Sequence, residues 1–378
     1  MEFLNRRSFI FAGLGSIAAI SLGGLYYVNR PEFGSLPSGA RLERIKNSPH
    51  YVNGKFECLE PIVDMFPKDA NQDNNRFSAT WNFLFGDKTG LVPNQPMLSK
   101  KTDLKNLPPD EDVIVWMGHS TFFMQLDGKK ILIDPVFSSY ASPVFFVNKA
   151  FAGSNIYTAE DFPDIDILAM THDHWDHLDY PSIMALKPKI KTIVCALGVG
   201  EYFEQWGFDS KILREEDWFT EIAIDDRLSI HVLPSQHFSG RFLTQNPTEW
   251  CGYAFITPRK KVYISGDGGY GKHFKTIGEK FGGFDLAMLE NGQYNPAWHP
   301  IHMLPEETSQ AAIDVKARKV LPMHSGKFAL SNHHWDTPYR DLEKFSTGKN
   351  YELITPEIGE AFYLDGTQTF DRWWNRMS

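Results

Sequence analysis

The stretch Thr171-His172-Asp173-His174-Trp175-Asp176-His177-Leu178-Asp179 puts five metal-capable side chains into six consecutive positions. Neither a solvated face nor an apolar core accounts for that density of imidazole and carboxylate. The cluster follows Ile165-Asp166-Ile167-Leu168-Ala169-Met170, an apolar strand-like run. It therefore sits where a buried strand delivers its loop to a sheet edge, a place where sites are built. In an extended or turning segment His172 and His174 project to one side, so both imidazoles reach one ion, while Asp176 and His177 face a second. Nitrogen and carboxylate donors suit zinc and also accept iron or manganese. Four residues do not close two sites, so other parts of the chain must contribute.

Later strand ends offer those contributions. Val113–Trp116 and Phe122–Leu126 read as strands, and Asp127-Gly128 is a hairpin turn ahead of Ile131–Ile133. His119 and Asp134 stand at the ends of these strands, as candidates to orient ligating imidazoles or simply to cap turns. Asp179-Tyr180-Pro181 opens a short helix, Ile190–Cys195 is strand-like, and Glu201–Trp206 is a helix stopped by Gly207. Leu228–Leu233 alternates like a strand, placing His231 on a solvated face and leading to His237 just beyond its end. A hairpin of Tyr253–Thr257 and Lys261–Ser265 ends in Gly266-Asp267-Gly268-Gly269. That is a common turn, and also a way to place a carboxylate where backbone must approach closely. An amphipathic stretch Phe274–Phe281, a strand Leu286–Leu289 and a helix from Pro305 to about Ala317 follow, and the strand Val320–Met323 delivers His324.

The chain of 378 residues is 42% hydrophobic and 14% aromatic, enough to bury one domain of roughly 250 residues with extensions. A net charge of −9 without a basic run argues against nucleic-acid binding. Cys58, Cys195 and Cys251 are too scattered for a disulfide framework or a paired-cysteine metal site and read as small buried hydrophobes. Residues 1–30 read as a signal or membrane anchor: Arg6-Arg7 precede the uncharged stretch Phe9–Val28. Asn5–Ile10 resembles a twin-arginine export signal and reads equally as an ordinary basic signal region. Either way the body is expected outside the cytoplasm, in the periplasm or tethered to the inner membrane. Residues 31–110 read as an irregular extension whose aromatics, Phe56, Phe66, Trp81, Phe83 and Phe85, pack on the main domain. Residues 111–367 form that domain and 368–378 a tail.

His172, His174, Asp176, His177, His237, Asp267 and His324 come from four strand-to-loop junctions. In order and composition they resemble the metallo-β-lactamase superfamily. That resemblance implies an α/β fold, an αββα sandwich. It also implies two Zn2+ ions, with His172, His174 and His237 on one, Asp176, His177 and His324 on the other, and Asp267 bridging. Trp116-x-Gly118-His119-Ser120-Thr121, Asp134–Pro143, the block to Tyr180, Ser235-Gln236-His237, Gly266-Asp267-x-Gly269-Tyr270 and Phe328-Ala329-Leu330 are similar to the phospholipase D family that hydrolyses N-acylphosphatidylethanolamine. A metal-bridging hydroxide attacking phosphorus is then implied, oriented by Asp176. His302 positions phosphate or protonates the leaving group, and Tyr180, Phe238, Gln293 and Tyr294 face the substrate. The partners implied are a phospholipid or small ester and, through the N-terminal segment, a membrane. The chain departs from the metazoan enzymes at Phe238 and Ser325, where they carry Trp, and in the more polar stretch Glu290–Pro296. An ascorbate-6-phosphate lactonase-like hydrolase of soluble esters or lactones is the alternative enzyme, and a non-catalytic metal-binding envelope protein the alternative of another class.

Overall fold

Apolar runs of four or five residues, separated by turns, can be buried on both faces only if something covers each face, and two stacked sheets with helices outside satisfy all of them. The computed structural model describes residues 26–62, 86, 89–241 and 244–377. A small hairpin, β1 (Tyr51–Val52) and β2 (Lys55–Phe56), precedes β3 (Val113–Trp116), β4 (Phe122–Leu126), β5 (Lys129–Ile133), β6 (Ile167–Met170), β7 (Ile193–Ala196) and β8 (Leu213–Glu216). Then come β9 (Glu221–Ala223), β10 (Ser229–Leu233), β11 (Gly252–Ile256), β12 (Lys261–Ile264), β13 (Leu286–Glu290), β14 (Lys319–Met323), β15 (Glu352–Leu353) and β16 (Ala361–Tyr363). One seven-stranded sheet runs β16-β3-β4-β5-β6-β7-β8 and the other β15-β14-β13-β12-β11-β10-β9. Each is antiparallel over three pairings and parallel over the other three.

Side-chain alternation sorts each strand between layers. Ile114, Phe122, Met124, Ile131 and Ile133 of the first sheet meet Ile230, Val232, Tyr253, Phe255, Val262 and Ile264 of the second in the central core. Val115, Phe123, Leu132, Leu168 and Ile193 point outward, to a layer that includes Ile183 and Leu186 of α2 (Tyr180–Leu186) and Phe203 of α3 (Gly200–Gln205). Ala254, Tyr263, Ala287 and Leu289 lie under α4 (His273–Phe281) and α5 (Pro305–Asp314). The helix expected to reach Ala317 stops earlier because Lys316 adopts a left-handed φ of 57°. The Asp127-Gly128 turn has both residues at positive φ, 49° and 78°, the twist a two-residue hairpin needs. His231 is half-buried rather than solvated, since the Phe281 ring at 5.0 Å covers it.

The segments set apart as appendages are packed. The helix α1 (Gly39–Lys46) lies in the stretch read as irregular, and its Arg41 pairs with Glu215 at the end of β8, Nε to Oε2 2.9 Å. Phe56 is fully buried, while Phe66, Trp81, Phe83 and Phe85 lie outside the described residues, as do residues 1–25 of the expected anchor. Among the described residues no helix is long and apolar enough to cross a membrane. Residues 368–378 are not a free tail: Trp373 is 1% exposed, with ring contacts to Tyr339 of α6 (Thr337–Ser346) at 4.8 Å and to Trp116 at 6.4 Å. Cys195 and Cys251 are buried free thiols, and Cys58 is a partly buried one. Trp373→Ala should therefore cost about 3–5 kcal/mol, the range for deleting a buried Trp, measured as a shift in urea unfolding.

Candidate metal centre and substrate pocket

Within each sheet the strands that run the same way end at the same edge, and every expected ligand leaves from such an end. Asp134 follows β5, His172–His177 follow β6, His237 follows β10, Asp267 follows β12 and His324 follows β14. Positioning them takes unusual backbone: His119, Asp134, Gln293 and His324 have φ of 55°, 41°, 58° and 65°, a region non-glycine residues seldom occupy. The strain is held by reciprocal bonds. His119 N donates to Ser325 O at 2.8 Å and His324 N to His119 O at 3.0 Å, joining the two sheets directly above the core.

The seven side chains converge. His172 Nε2 lies 2.9 Å from His174 Nδ1, and His237 Nε2 lies 3.2 Å from the same atom. Asp267 Oδ2 is 3.0 Å from His177 Nε2, 2.8 Å from His324 Nε2 and 3.9 Å from both His172 Nε2 and His237 Nε2. Asp176 Oδ2 is 3.3 Å from His324 Nε2 and 3.6 Å from His177 Nε2. Ligands bound at about 2.0–2.2 Å around one tetrahedral ion stand about 3.3 Å apart, so these separations are those of donors gathered around metal, with Asp267 central among them. Asp267 Oδ1 and His174 Nε2 are buried without a hydrogen-bond partner. A buried anionic oxygen left so, amid imidazoles, is stabilised by a cation. The donor set thus fits divalent metal.

A ring of further groups aims these donors. Asp134 Oδ2 holds His177 Nδ1 at 2.8 Å, and its two oxygens also accept from Thr171 N and Oγ1. His119 acts on a carboxylate rather than an imidazole, Nε2 to Asp176 Oδ2 2.7 Å. Burial, reinforced by the charge of His324, lowers His119 to about 3, so it is a neutral donor. Asp173, inside the histidine motif, points away from the cluster and ties its loop to Gly240 N (2.8 Å), Tyr202 Oη (2.8 Å) and Thr248 Oγ1 (3.1 Å). Glu290 went unnoticed in the sequence. It is fully buried, its Oε1 bonds His302 Nδ1 and lies 3.2 Å from His324 Nδ1, and its Oε2 accepts from Gly268 N. The available signal was an acid closing an apolar strand, as Asp134 and Asp267 do.

Burial opposes charge throughout the centre, and neighbours decide which groups keep it. His172 and His237 are pushed well below the ordinary imidazole range by burial and adjacent rings. At His177 burial also works downward, but Asp267 and Asp176 outweigh it and raise the ring to about 10. Asp267 is the counterpart: against its burial, His177 and His324 hold its carboxyl well below the usual range.

A cavity of about 340 Å³ opens onto the cluster. His174, Asp176, Asp267, His302 and His324 form its polar floor, and Phe238, Trp298, Ile301 and Leu330 its apolar walls. Of the residues expected to face substrate, Phe238 does so, against His174 at 4.5 Å. Gln293 lines the cavity, but its amide is spent on backbone, donating to Phe328 O at 3.0 Å and accepting from Leu330 N at 2.8 Å. Tyr180 and Tyr294 do not reach it. Tyr180 packs on Trp206 at 5.0 Å and lines a different cavity, and Tyr294 is buried against His333 at 4.7 Å. Ser325 is buried and turned to Tyr339 Oη, 3.0 Å away.

Comparison with known proteins places this geometry among others. The Beta-lactamase superfamily domain matches residues 129–325. An uncharacterized protein of Mycobacterium tuberculosis is 32% identical over 333 residues, covering 87% of this chain and 88% of its own length. The mitochondrial N-acyl-phosphatidylethanolamine-hydrolyzing phospholipase D of Saccharomyces cerevisiae is 30% identical over 348 residues, 83% of this chain and 72% of its own. The solved structure of a metallo hydrolase from Ignicoccus hospitalis shares the fold, with a TM-score of 0.51 at 22% identity, covering 67% of this chain and 97% of that one.

Two outcomes follow from the electrostatics. His177, raised to about 10 without a cation, stabilises the fold fully below its ordinary pKa and loses that contribution as pH climbs through the raised value. A bound cation displaces that proton, so divalent-metal affinity should rise with pH between 6 and 9, by up to about tenfold per unit for each proton released, in competition with a chelator. Asp134→Asn, which weakens the hold on His177 Nδ1, should lower that affinity about 10–100-fold in the same titration.

Proposed function

The chain belongs to the metallo-β-lactamase superfamily and is a metal-dependent hydrolase, and we propose that it is a two-zinc phosphodiesterase of phospholipase D type acting on N-acylphosphatidylethanolamine-like lipids. The observation that carries this reading is the gathering of seven donors, four of their imidazoles within 3.9 Å of Asp267, at the floor of an apolar-walled cavity. His172, His174 and His237 would hold one ion and Asp176, His177 and His324 the other, with Asp267 available to both. Bound there, zinc polarises phosphoryl oxygens and acidifies water at neutral pH.

The chain's own groups do the rest. Asp176, fixed by His119, keeps one carboxylate edge toward the cavity, where it orients the attacking water. Glu290 holds His302 by Nδ1, which leaves Nε2 as the ring atom that exchanges a proton with the leaving oxygen. The His302 ring lies parallel to that of His324, 7° between planes at 5.1 Å, and is kept in register with the metal-binding floor. Phe238, Trp298, Ile301 and Leu330 exclude water and accept hydrocarbon next to the scissile group. The yeast relative's named substrate has such hydrocarbon beside a phosphodiester. In this reading Arg6-Arg7 stay on the cytoplasmic side and the body lies beyond the membrane.

Purified protein should release N-acylethanolamine and phosphatidic acid from labelled N-acylphosphatidylethanolamine, lose that activity on chelation and regain it with zinc. Hydrolysis of soluble lactones instead, with the phospholipid untouched, would overturn the substrate assignment. His302→Gln should reduce kcat by about 10²–10⁴ while metal content is unchanged, whereas His172→Ala should lose both metal and turnover.

A further inference from the structure

Among the described residues the three most exposed large hydrophobic side chains are Tyr26 (78%), Phe145 (77%) and Phe146 (72%). They belong together. Tyr27 Oη donates to Pro143 O at 2.6 Å, fastening the start of the described chain to the loop that carries the two phenylalanines. The loop is built to project. Tyr140 pairs with Lys149, Ala141 N donates to Asn148 O at 3.0 Å, Ala150 N donates to Ser139 O at 2.9 Å, and Asn148 turns the chain at a φ of 55°. This closed base holds out a tip of Val144-Phe145-Phe146-Val147, where the two rings meet edge to face at 5.4 Å. An ordered apolar tip in water is unfavourable unless something covers it.

We propose that this tip, with Tyr26, is a docking surface that inserts into the interfacial zone of a phospholipid bilayer. In sequence, the uncharged stretch Phe9–Val28 leads to Tyr26 and Tyr27, and the loop is tied to Tyr27, so the exposed rings stand where an apolar run of about twenty residues ends. Lys149 follows at the loop base, exposed, where it suits anionic headgroups. Between loop and N-terminal segment is a cavity of about 260 Å³ whose lining includes Arg30 paired with Glu32, the carboxylate of Asp179, and Ser138, Tyr140, Trp175 and Tyr180, hydroxyls and amphipathic aromatics at headgroup level. A second copy of the chain fits less well. Two phenylalanines bring about 300–500 Å², short of the roughly 800 Å² per partner of a stable interface.

Trp175 lies among the metal-facing residues in sequence and Tyr180 follows them, so one face of the His172–Tyr180 segment serves the centre and the other meets this surface. That accounts for Tyr180, which the hydrolytic cavity does not use. The inference deepens the lipid-hydrolase reading but is tested apart from it.

The full chain, in a Cys58→Ser background with Phe146→Cys carrying an environment-sensitive nitrobenzoxadiazole dye, is reconstituted in phosphatidylethanolamine and phosphatidylglycerol vesicles. The dye should emit to the blue and be quenched by lipids bearing a nitroxide in the acyl chain. The same dye on Ile313→Cys, exposed on α5 over the second sheet, should do neither. Emission at position 146 as water-like as at 313 overturns the proposal, and so does a blue shift without nitroxide quenching, which marks a protein partner instead. Phe145→Ser with Phe146→Ser should slow hydrolysis of vesicle-borne lipid about tenfold or more and leave a monomeric short-chain phosphodiester unaffected, and equal loss on both overturns it. If wild type turns over neither substrate, the hydrolase reading fails while the dye still decides the docking surface.

Discussion

Asp267 is a carboxylate taken almost wholly out of water, with imidazoles from three other loops within 3.9 Å of one of its oxygens. Burying such a charge is costly unless it is compensated where it lies, and compensation here demands that β6, β10, β12 and β14 all end at the right height. A shift of one residue in any strand would turn its terminal ligand to the opposite face. The left-handed backbone at His119, Asp134 and His324 belongs to the same demand. Each residue gives up a relaxed conformation to aim one side chain, and the paired bonds between His119 and the His324–Ser325 turn keep the rearranged loops from relaxing.

The sandwich makes this affordable. Its strands are apolar on both faces, so sheet position is set by packing on two sides at once, and the central core is continuous beneath the site. The layer of groups behind the ligands continues that rigidity by electrostatic means. Asp134 and Glu290 each close an apolar strand, each is fully buried, and each grips the Nδ1 of a site histidine while backbone amides satisfy the remaining carboxylate oxygen.

Much of this was legible in the sequence because metal donors at strand ends are read by their chemistry. An imidazole or carboxylate within a few residues of the end of an apolar run has few other uses, and the His172–His177 motif, His237, Asp267 and His324 all stand so. Asp173 fits the same spacing: lying between His172 and His174, it turns away from the cluster and fastens the loop. Glu290 and Gln293 show the limit, because a buried acid behind a histidine and an amide spent on backbone depend on loops that meet only in space. The family resemblance placed Tyr180 and Tyr294 toward substrate, whereas here they pack against Trp206 and His333. Appendages were misjudged for a related reason, since nothing local tells Trp373 that Tyr339 waits for it.

The division of the donors along the chain also sets an order of events during synthesis. Four of the seven come from β6's loop in the first half, and the others arrive at residues 237, 267 and 324. A growing chain therefore displays a half-made chelate from residue 177 onward, completes the His172, His174 and His237 group with Asp267, and cannot finish the second group until His324 has left the ribosome. Full metal capture thus waits on residue 324: only a polypeptide made at least that far, with both sheets paired, presents all seven donors together.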